Sequence, residues 1–226
     1  PAYVTFGSPG LVLRRSAAPP GVDGVHPELR QQHLEFRPPF LARLPSARVL
    51  GPEGSVITPD GGILAESTWS RGLFQQDRIY RSLRFPRPQL LSGSYYTIAS
   101  PFSHNYYHWI VEILTRLFAY ESVASDRPRL IVNSFVAKSH LESLELLGCQ
   151  KDDLLTLDHQ SHQLENVDLP CFIGINPYTL AWLKTTLAKS IPAESPAKRV
   201  YITRRRAARR RLLNENEIEA MLRQHG

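Results

Sequence analysis

His104, His108 and Glu112 stand at i, i+4 and i+8, so on a helix their side chains form one ladder along a single face. Three readings fit that ladder. Two imidazoles at i, i+4 can bind one zinc, with a carboxylate completing the set. Eight residues of helix rise about 12 Å, however, which is more than one ion spans easily, and His104 precedes the first regular turn. In the second reading His108 or Glu112 takes a proton from a hydroxyl as a general base, or holds a sugar hydroxyl, where a helix start faces the carboxyl ends of neighbouring strands. The third is plainer: His108 and Glu112 hydrogen-bond each other and cap a buried cluster of Tyr106, Tyr107 and Trp109. On spacing alone this last reading is the strongest.

A second stretch, Thr203 to Arg211, carries six arginines in nine positions. Such a density repels itself and calls for an anion or open solvent. A guanidinium fork matches phosphate oxygens in pairs, and a strand-loop-helix junction is where phosphates bind in α/β proteins, so a diphosphate is the functional reading. Nucleic acid is the rival, but it favours interleaved aromatics or a basic stripe continuing along a helix, and the next helix here is acidic. A plain solvated loop is the remaining alternative. The chain has no Gly-rich loop ending in Lys-Ser/Thr, no Gly-x-Gly-x-x-Gly, no Gly-x-Ser-x-Gly and no His-Glu-x-x-His, which removes support for the commonest kinase, dehydrogenase and hydrolase readings. An Asp-x-Asp triplet is also missing, so any diphosphate must be neutralised by something other than a metal held there; the arginines are suited to it.

The elements that must position these groups follow from periodicity and punctuation. Asn105 to Val123 reads as a helix whose Ile110, Ile113, Leu114, Leu117 and Phe118 form a stripe facing a sheet. The preceding Ser94 to Ala99 reads as a strand. Leu130 to Asn133 and Leu154 to Leu157 are further strands, separated by a helix from Ala137 to Leu147 that stops at Gly148. This alternation predicts a parallel, doubly wound sheet. Pro177 to Lys189 is a helix with Asn176 as cap and Pro177 at its first position. After a linker, Arg199 to Thr203 reads as a strand, and Asn214 to Gln224 as a helix with Asn214 as cap and Glu215, Glu217 and Glu219 near its positive end. Upstream, closely spaced prolines argue for an extended arm with one strand at Tyr3 to Leu13. Ala47 to Leu50, Ser55 to Thr58 and Gly62 to Glu66 then form a small hairpin or meander.

The 226 residues, 42% of them hydrophobic, suffice for one core plus a fragment of another. The formal net charge of +6 favours anionic partners. The longest apolar stretch, Trp109 to Tyr120, is broken by Glu112 and Arg116 and falls short of the ~20 residues that span a bilayer. Cys149 and Cys171 have no metal-ligand spacing and read as two free thiols, which suits a reducing compartment.

Two blocks of residues carry a family likeness. Asn105-Tyr106-Tyr107-His108-Trp109, followed by Glu112, Leu114, Arg116 and Leu117, resembles the N-x-x-H-W-x-x-E-x-L-x-R-L signature of glycosyltransferase family 61. Tyr201-Ile202-Thr203-Arg204-Arg205, followed by Arg210-Arg211-Leu212-Leu213-Asn214-Glu215, resembles the family's Y-I-S-R-x-x-x-x-x-R-x-I-x-N-E block, with Thr203 in place of serine. Two ordered motifs are far more specific than one. The Gly61-Gly62-Ile63-Leu64-Ala65-Glu66-Ser67 hairpin also fits, so the likeness runs from about Arg48.

The resemblance implies a GT-B-like α/β arrangement of two Rossmann-like domains. The chemistry it implies is inverting, metal-independent transfer of a sugar from a nucleotide donor, expected to be UDP-linked, to a glycan or protein hydroxyl, with no cofactor. By position, Arg204, Arg205 and Arg210 face the donor diphosphate. His108 and Glu112 are the catalytic candidates, with Asn105 and Arg116 on the acceptor side. The domains expected are a Pro-rich arm (1–46), an acceptor-side α/β domain (47–190), a linker (191–198) and the start of a nucleotide-sugar-binding domain (199–226), which the family continues for roughly another half. The expected setting is bacterial surface-polysaccharide assembly, in the cytoplasm or at the inner face of the membrane. The other classes that the residues allow are a non-catalytic glycan- or phosphate-binding remnant and a basic binder of nucleic acid or anionic membrane.

Overall fold

The computed structural model describes residues 2–5, 10–13, 33–36, 38–68, 79, 84–126, 128–134, 137–158, 161–171, 176–190, 200–208 and 211–225, which fold as a mixed α/β protein. The chain divides into two units, Pro1–Ser190 and Ile191–Gly226.

The first unit is built on a seven-stranded sheet. Its strands are β1 (Ala2–Thr5), β4 (Phe40–Leu50), β5 (Ser55–Ile57), β6 (Pro88–Thr97), β7 (Arg129–Asn133), β8 (Leu154–Leu157) and β9 (Ser161–Cys171), while β2 (Gly10–Leu13) and β3 (His33–Phe36) form a separate antiparallel pair. The order across the sheet is β1-β4-β9-β6-β7-β8, with β5 on β4. The parallel half is β9-β6-β7-β8, and β1, β4 and β5 add an antiparallel half. An all-parallel sheet was the expectation. The difference comes from β9, which the sequence reading left unassigned and which lies at the centre, antiparallel to β4 and parallel to β6.

Polar residues explain why β9 is hard to read. His162, Gln163, Glu165, Asn166, Asp168 and Pro170 interrupt any apolar run, and such residues are depleted in strands. Pairing on both edges overrides that preference. Asp168, almost fully buried, receives two hydrogen bonds from Arg43 on β4, at 2.8 and 2.9 Å, so its charge is matched where it is desolvated. Likewise β4 starts at Phe40 and runs through Pro45, a stretch the proline spacing assigns to the arm. Pro45 lies opposite Asn166, and the next residue, Ser46, adopts a positive φ of 51°, a local irregularity that accommodates a residue without an N–H.

Side chains alternate across the sheet as a period of two demands. Tyr96, Leu130 and Val132 enter a cluster with Trp109, Ile113, Leu114 and Leu117, and with Leu144 and Leu183 from helices α2 (Lys138–Leu146) and α3 (Pro177–Lys189). Tyr95 and Ile131 enter the other, which Val49, Val56, Leu157 and Leu164 complete from the strands themselves. Helical cover is therefore confined to one face among the described residues, in place of the two-sided cover of a doubly wound sheet. The β4–β5 turn closes against the end of β6: Gly54 has φ +84° and lies so near Ala99 that an added Cβ would sit 2.5 Å from the Ala99 Cβ.

The expected helix over Asn105 to Val123 is a composite. One α turn, α1 (Tyr106–His108), leads into a π segment, Trp109–Ile113, and then a 3₁₀ stretch, Leu114–Asp126. Its stripe packs on the sheet as expected, with Ile113, Leu114 and Leu117 buried. Asn176 caps α3 by accepting from the Tyr178 and Thr179 amides, with Pro177 at the first position.

In the second unit the one regular element among the described residues is α4 (Glu215–Gln224). Residues 200–204 form no strand, contrary to the reading of Arg199 to Thr203, of which Arg199 lies outside the described residues. A strand needs a neighbouring backbone to pair with; the partner here is a side chain, that of Glu215. No helix among the described residues is long and apolar enough to cross a membrane.

Candidate functional site

At the carboxyl ends of β6 and β7 the chain turns sharply through Ser100 to Asn105. The Ser103 amide and hydroxyl both donate to the Ser100 carbonyl, at 3.1 and 3.0 Å. Asn133, at the end of β7, accepts from the Ser100 amide at 2.9 Å and donates to the Pro52 carbonyl at 2.6 Å. The Asn105 amide in turn donates to the Phe102 carbonyl at 2.9 Å, which places the residue that starts the helix. The Asn105 side chain accepts from the Tyr107 and His108 amides, at 3.0 and 3.4 Å, a capping role with a plain origin in the unsatisfied amides of a first turn.

Beyond that cap, His108 Nδ1 lies 2.9 Å from Glu112 Oε2, and the two side chains are 28% and 26% exposed. Phe102 stacks on the imidazole, with ring centres 4.7 Å apart and planes 28° from parallel, and Tyr107 meets it edge-on at 5.3 Å. A carboxylate only accepts, so the ring hydrogen facing Glu112 is on Nδ1 and the lone pair of neutral His108 is on Nε2. The buried aromatic cluster expected around this pair is not present as such. Trp109 is buried, stacked on His140 at 4.1 Å and donating to the Ser143 hydroxyl at 2.9 Å. Tyr106 and Tyr107, by contrast, are 72% and 49% exposed. The Arg116 guanidinium donates to the Ala99 carbonyl at 3.2 Å, and its own carbonyl accepts from the Tyr96 hydroxyl at 2.6 Å, so it ties the helix to the end of β6. His104 is exposed, and no three His, Cys, Asp or Glu side chains gather as a metal-binding group among the described residues.

Two further groups belong to the scaffold. Burial lowers the pKa of His140, whose Nδ1 accepts from the Ala137 amide at 3.1 Å. Burial also pushes the free Cys149 thiol up to about 11, so it remains a thiol and a poor nucleophile.

In the second unit Glu215 is the hub. Its Oε1 accepts from the Tyr201 hydroxyl at 2.9 Å, the Thr203 hydroxyl at 2.8 Å and the Arg204 amide at 2.9 Å. These bonds, with that of Thr203 the strongest influence, hold its pKa below the ordinary glutamate range. Arg205 turns toward α4, donating to Asn216 at 2.9 Å and Glu219 at 2.8 Å, with Glu215 at 4.0 Å. The Ala207 amide returns to the Arg204 carbonyl at 2.8 Å, closing a tight turn. A groove of about 590 Å³ is lined by residues 202–207 and Glu219. Arg204 and Arg206 are exposed there and Arg211 is exposed nearby in sequence, while Arg210 lies outside the described residues. Asn214 occupies the cap position of α4, but its side chain makes no capping bond; only its carbonyl accepts, from the Glu217 and Ile218 amides. The Glu215 hub is what sequence reasoning missed: the helix dipole already accounts for a glutamate in a first turn, so nothing local signals a tertiary role.

The family model for glycosyltransferase 61 matches residues 106–226, more than half of the chain and both of these clusters. The chain belongs to glycosyltransferase family 61. The match begins at the first residue of α1, so the Gly61–Ser67 hairpin lies outside it. No curated protein and no solved structure matches the chain. As a family 61 glycosyltransferase it is a transferase with a donor and an acceptor substrate.

Proposed function

We propose that this family 61 member is an inverting, metal-independent glycosyltransferase that moves a sugar from a nucleotide-sugar donor, UDP-linked by preference, to a glycan hydroxyl in the assembly of a bacterial surface polysaccharide, in the cytoplasm or at the inner face of the membrane. A GT-B-type, Rossmann-like identity for the two units belongs to the same reading, as does an acceptor-side assignment for the first unit. His108 is the base. Its Nε2 takes the proton of the acceptor hydroxyl while that oxygen attacks the anomeric carbon. The bond from that carbon to the donor phosphate breaks, its electron pair leaves with the nucleoside diphosphate, and a single displacement inverts the centre. Glu112 orients the ring and stabilises the imidazolium that forms, the part a carboxylate plays beside a catalytic histidine.

The observation that carries this reading is the 2.9 Å contact between His108 and Glu112, at the carboxyl end of β6 and inside the family match. Asn105 supports it by capping the turn, and Arg116 by holding the helix to Ala99; both act on the acceptor side through geometry. The donor phosphates are assigned to Arg204, with Arg210 as a second ligand and Arg205 bracing the turn through Glu219.

Calorimetric titration of the chain with UDP, GDP and a short polyphosphate, at two salt concentrations and with Arg204→Ala alongside, tests the donor half. Selective binding of one nucleoside diphosphate, lost in Arg204→Ala, is the expected outcome. Equal binding of all three with a steep salt dependence overturns it and makes the loop a polyanion patch.

A further inference from the structure

Glu215 is only 4% exposed, and a buried carboxylate is costly unless its oxygens are matched by donors. The match here is lopsided. Tyr201, Thr203 and Arg204 all donate to the same oxygen, Oε1, and Oε2 faces the Arg205 guanidinium at 4.0 Å. The three donors come from one short segment, so a single oxygen fastens that segment to the first turn of α4. At Arg204 the backbone is held on both sides: its amide by Glu215, its carbonyl by the Ala207 amide. The point at which the Arg204 side chain leaves the chain is therefore fixed, although the side chain itself is exposed. The neighbouring Arg205 is drawn to Asn216 and Glu219, and its charge offsets those of the Glu215 and Glu219 carboxylates.

We propose that Glu215 is a positioning residue for phosphate binding: it fixes the backbone from which Arg204 reaches a donor diphosphate and does not itself touch the ligand. This rests on the reading of the loop as a phosphate site. Glutamine keeps an Oε1 that accepts from all three donors but gives up the charge that strengthens those bonds and the attraction to Arg205, whereas alanine loses every bond.

The test is calorimetric titration of the full chain with UDP and with inorganic pyrophosphate, for the wild type, Arg204→Ala, Glu215→Ala, Glu215→Gln and the Arg204→Ala/Glu215→Ala double variant, with amide exchange at Arg204 followed in parallel. Arg204→Ala and Glu215→Ala are each expected to weaken binding about tenfold, and Glu215→Gln about threefold or less. The double variant is expected to bind no more weakly than Arg204→Ala, because one residue acts through the other. Exchange at the Arg204 amide should accelerate in Glu215→Ala and stay slow in Glu215→Gln. Wild-type affinity in Glu215→Ala alongside a loss in Arg204→Ala overturns the positioning role, as does a double variant whose losses simply add. Should Glu215→Ala fail to fold, Tyr201→Phe and Thr203→Val each remove one bond to the same oxygen, and unchanged UDP affinity in both overturns the role. A wild type that binds neither probe, or an Arg204→Ala variant that binds both normally, instead defeats the phosphate reading, and the inference falls with it.

Discussion

His108 and Glu112 ride on a helix whose Trp109, Ile113 and Leu114 are sealed against the sheet, whereas Glu215 holds a segment in which Val200 and Ile202 are 75% and 82% exposed and the following Leu213 is fully exposed. The first pair is placed by packing: His108 ends α1 and Glu112 lies in the π segment that follows, an asparagine caps the turn, and an aromatic ring stacks on the imidazole. The second is placed by hydrogen bonds to one buried oxygen. Packing spreads its cost over many contacts, and a polar hub concentrates it on one atom. The two regions should therefore fail differently, the first through cavities and overpacking, the second through loss of a single acceptor.

The largest effect expected is at Trp109. Trp109→Ala empties a site that is 1% exposed and removes the stack on His140 and the bond to Ser143. It should cost about 3–5 kcal/mol in urea unfolding of the first unit; a loss under about 1 kcal/mol would mean that packing does not hold the His108 helix. Gly54→Ala comes next. The new Cβ meets Ala99 at 2.5 Å with φ at +84°, and overpacking with left-handed strain should cost about 2 kcal/mol or more. A neutral Gly54→Ala would show that the β4–β5 turn is not pressed against the end of β6.

The two regions should respond to acid in a fixed order. The His140 pKa is lowered by burial, so the unfolded state binds more protons. Its contribution is fully present above the unfolded histidine value of about 6.5 and declines as the pH falls below it. Glu215 is also lowered, chiefly by its hydrogen bond from Thr203. Its contribution is present above the unfolded glutamate value of about 4.3 and is lost as the pH falls through the depressed folded value. Amide exchange against pH should show α2 losing protection first and Arg204 later. Simultaneous loss would contradict the separate origins of order in the two regions.

What could be read in advance divides along the same line. Asn176-Pro177 announced α3 because a cap and a first-position proline are local signals, and β8 was legible as Leu154–Leu157 because an apolar run between turns needs no distant partner. The contact of His108 with Glu112 is an i, i+4 relation that helix geometry dictates. By contrast, β9 depends on Arg43, 125 residues from the Asp168 it neutralises, and Glu215 depends on donors 11 to 14 residues upstream across a basic loop. Buried polar residues matched by distant partners leave no periodic trace, and for that reason both the sheet's centre and the second unit's hub were missed.

Turnover reports whether His108 acts as the base with Glu112 as its support. UDP release is measured with the nucleotide sugar and acceptor that the wild type uses, for His108→Asn and Glu112→Gln, with UDP affinity and near-ultraviolet circular dichroism as controls. His108→Asn should lower kcat about a hundredfold or more and Glu112→Gln by less, with UDP affinity and the dichroism spectrum unchanged. Turnover of His108→Asn within about threefold of the wild type would mean that His108 is not the base.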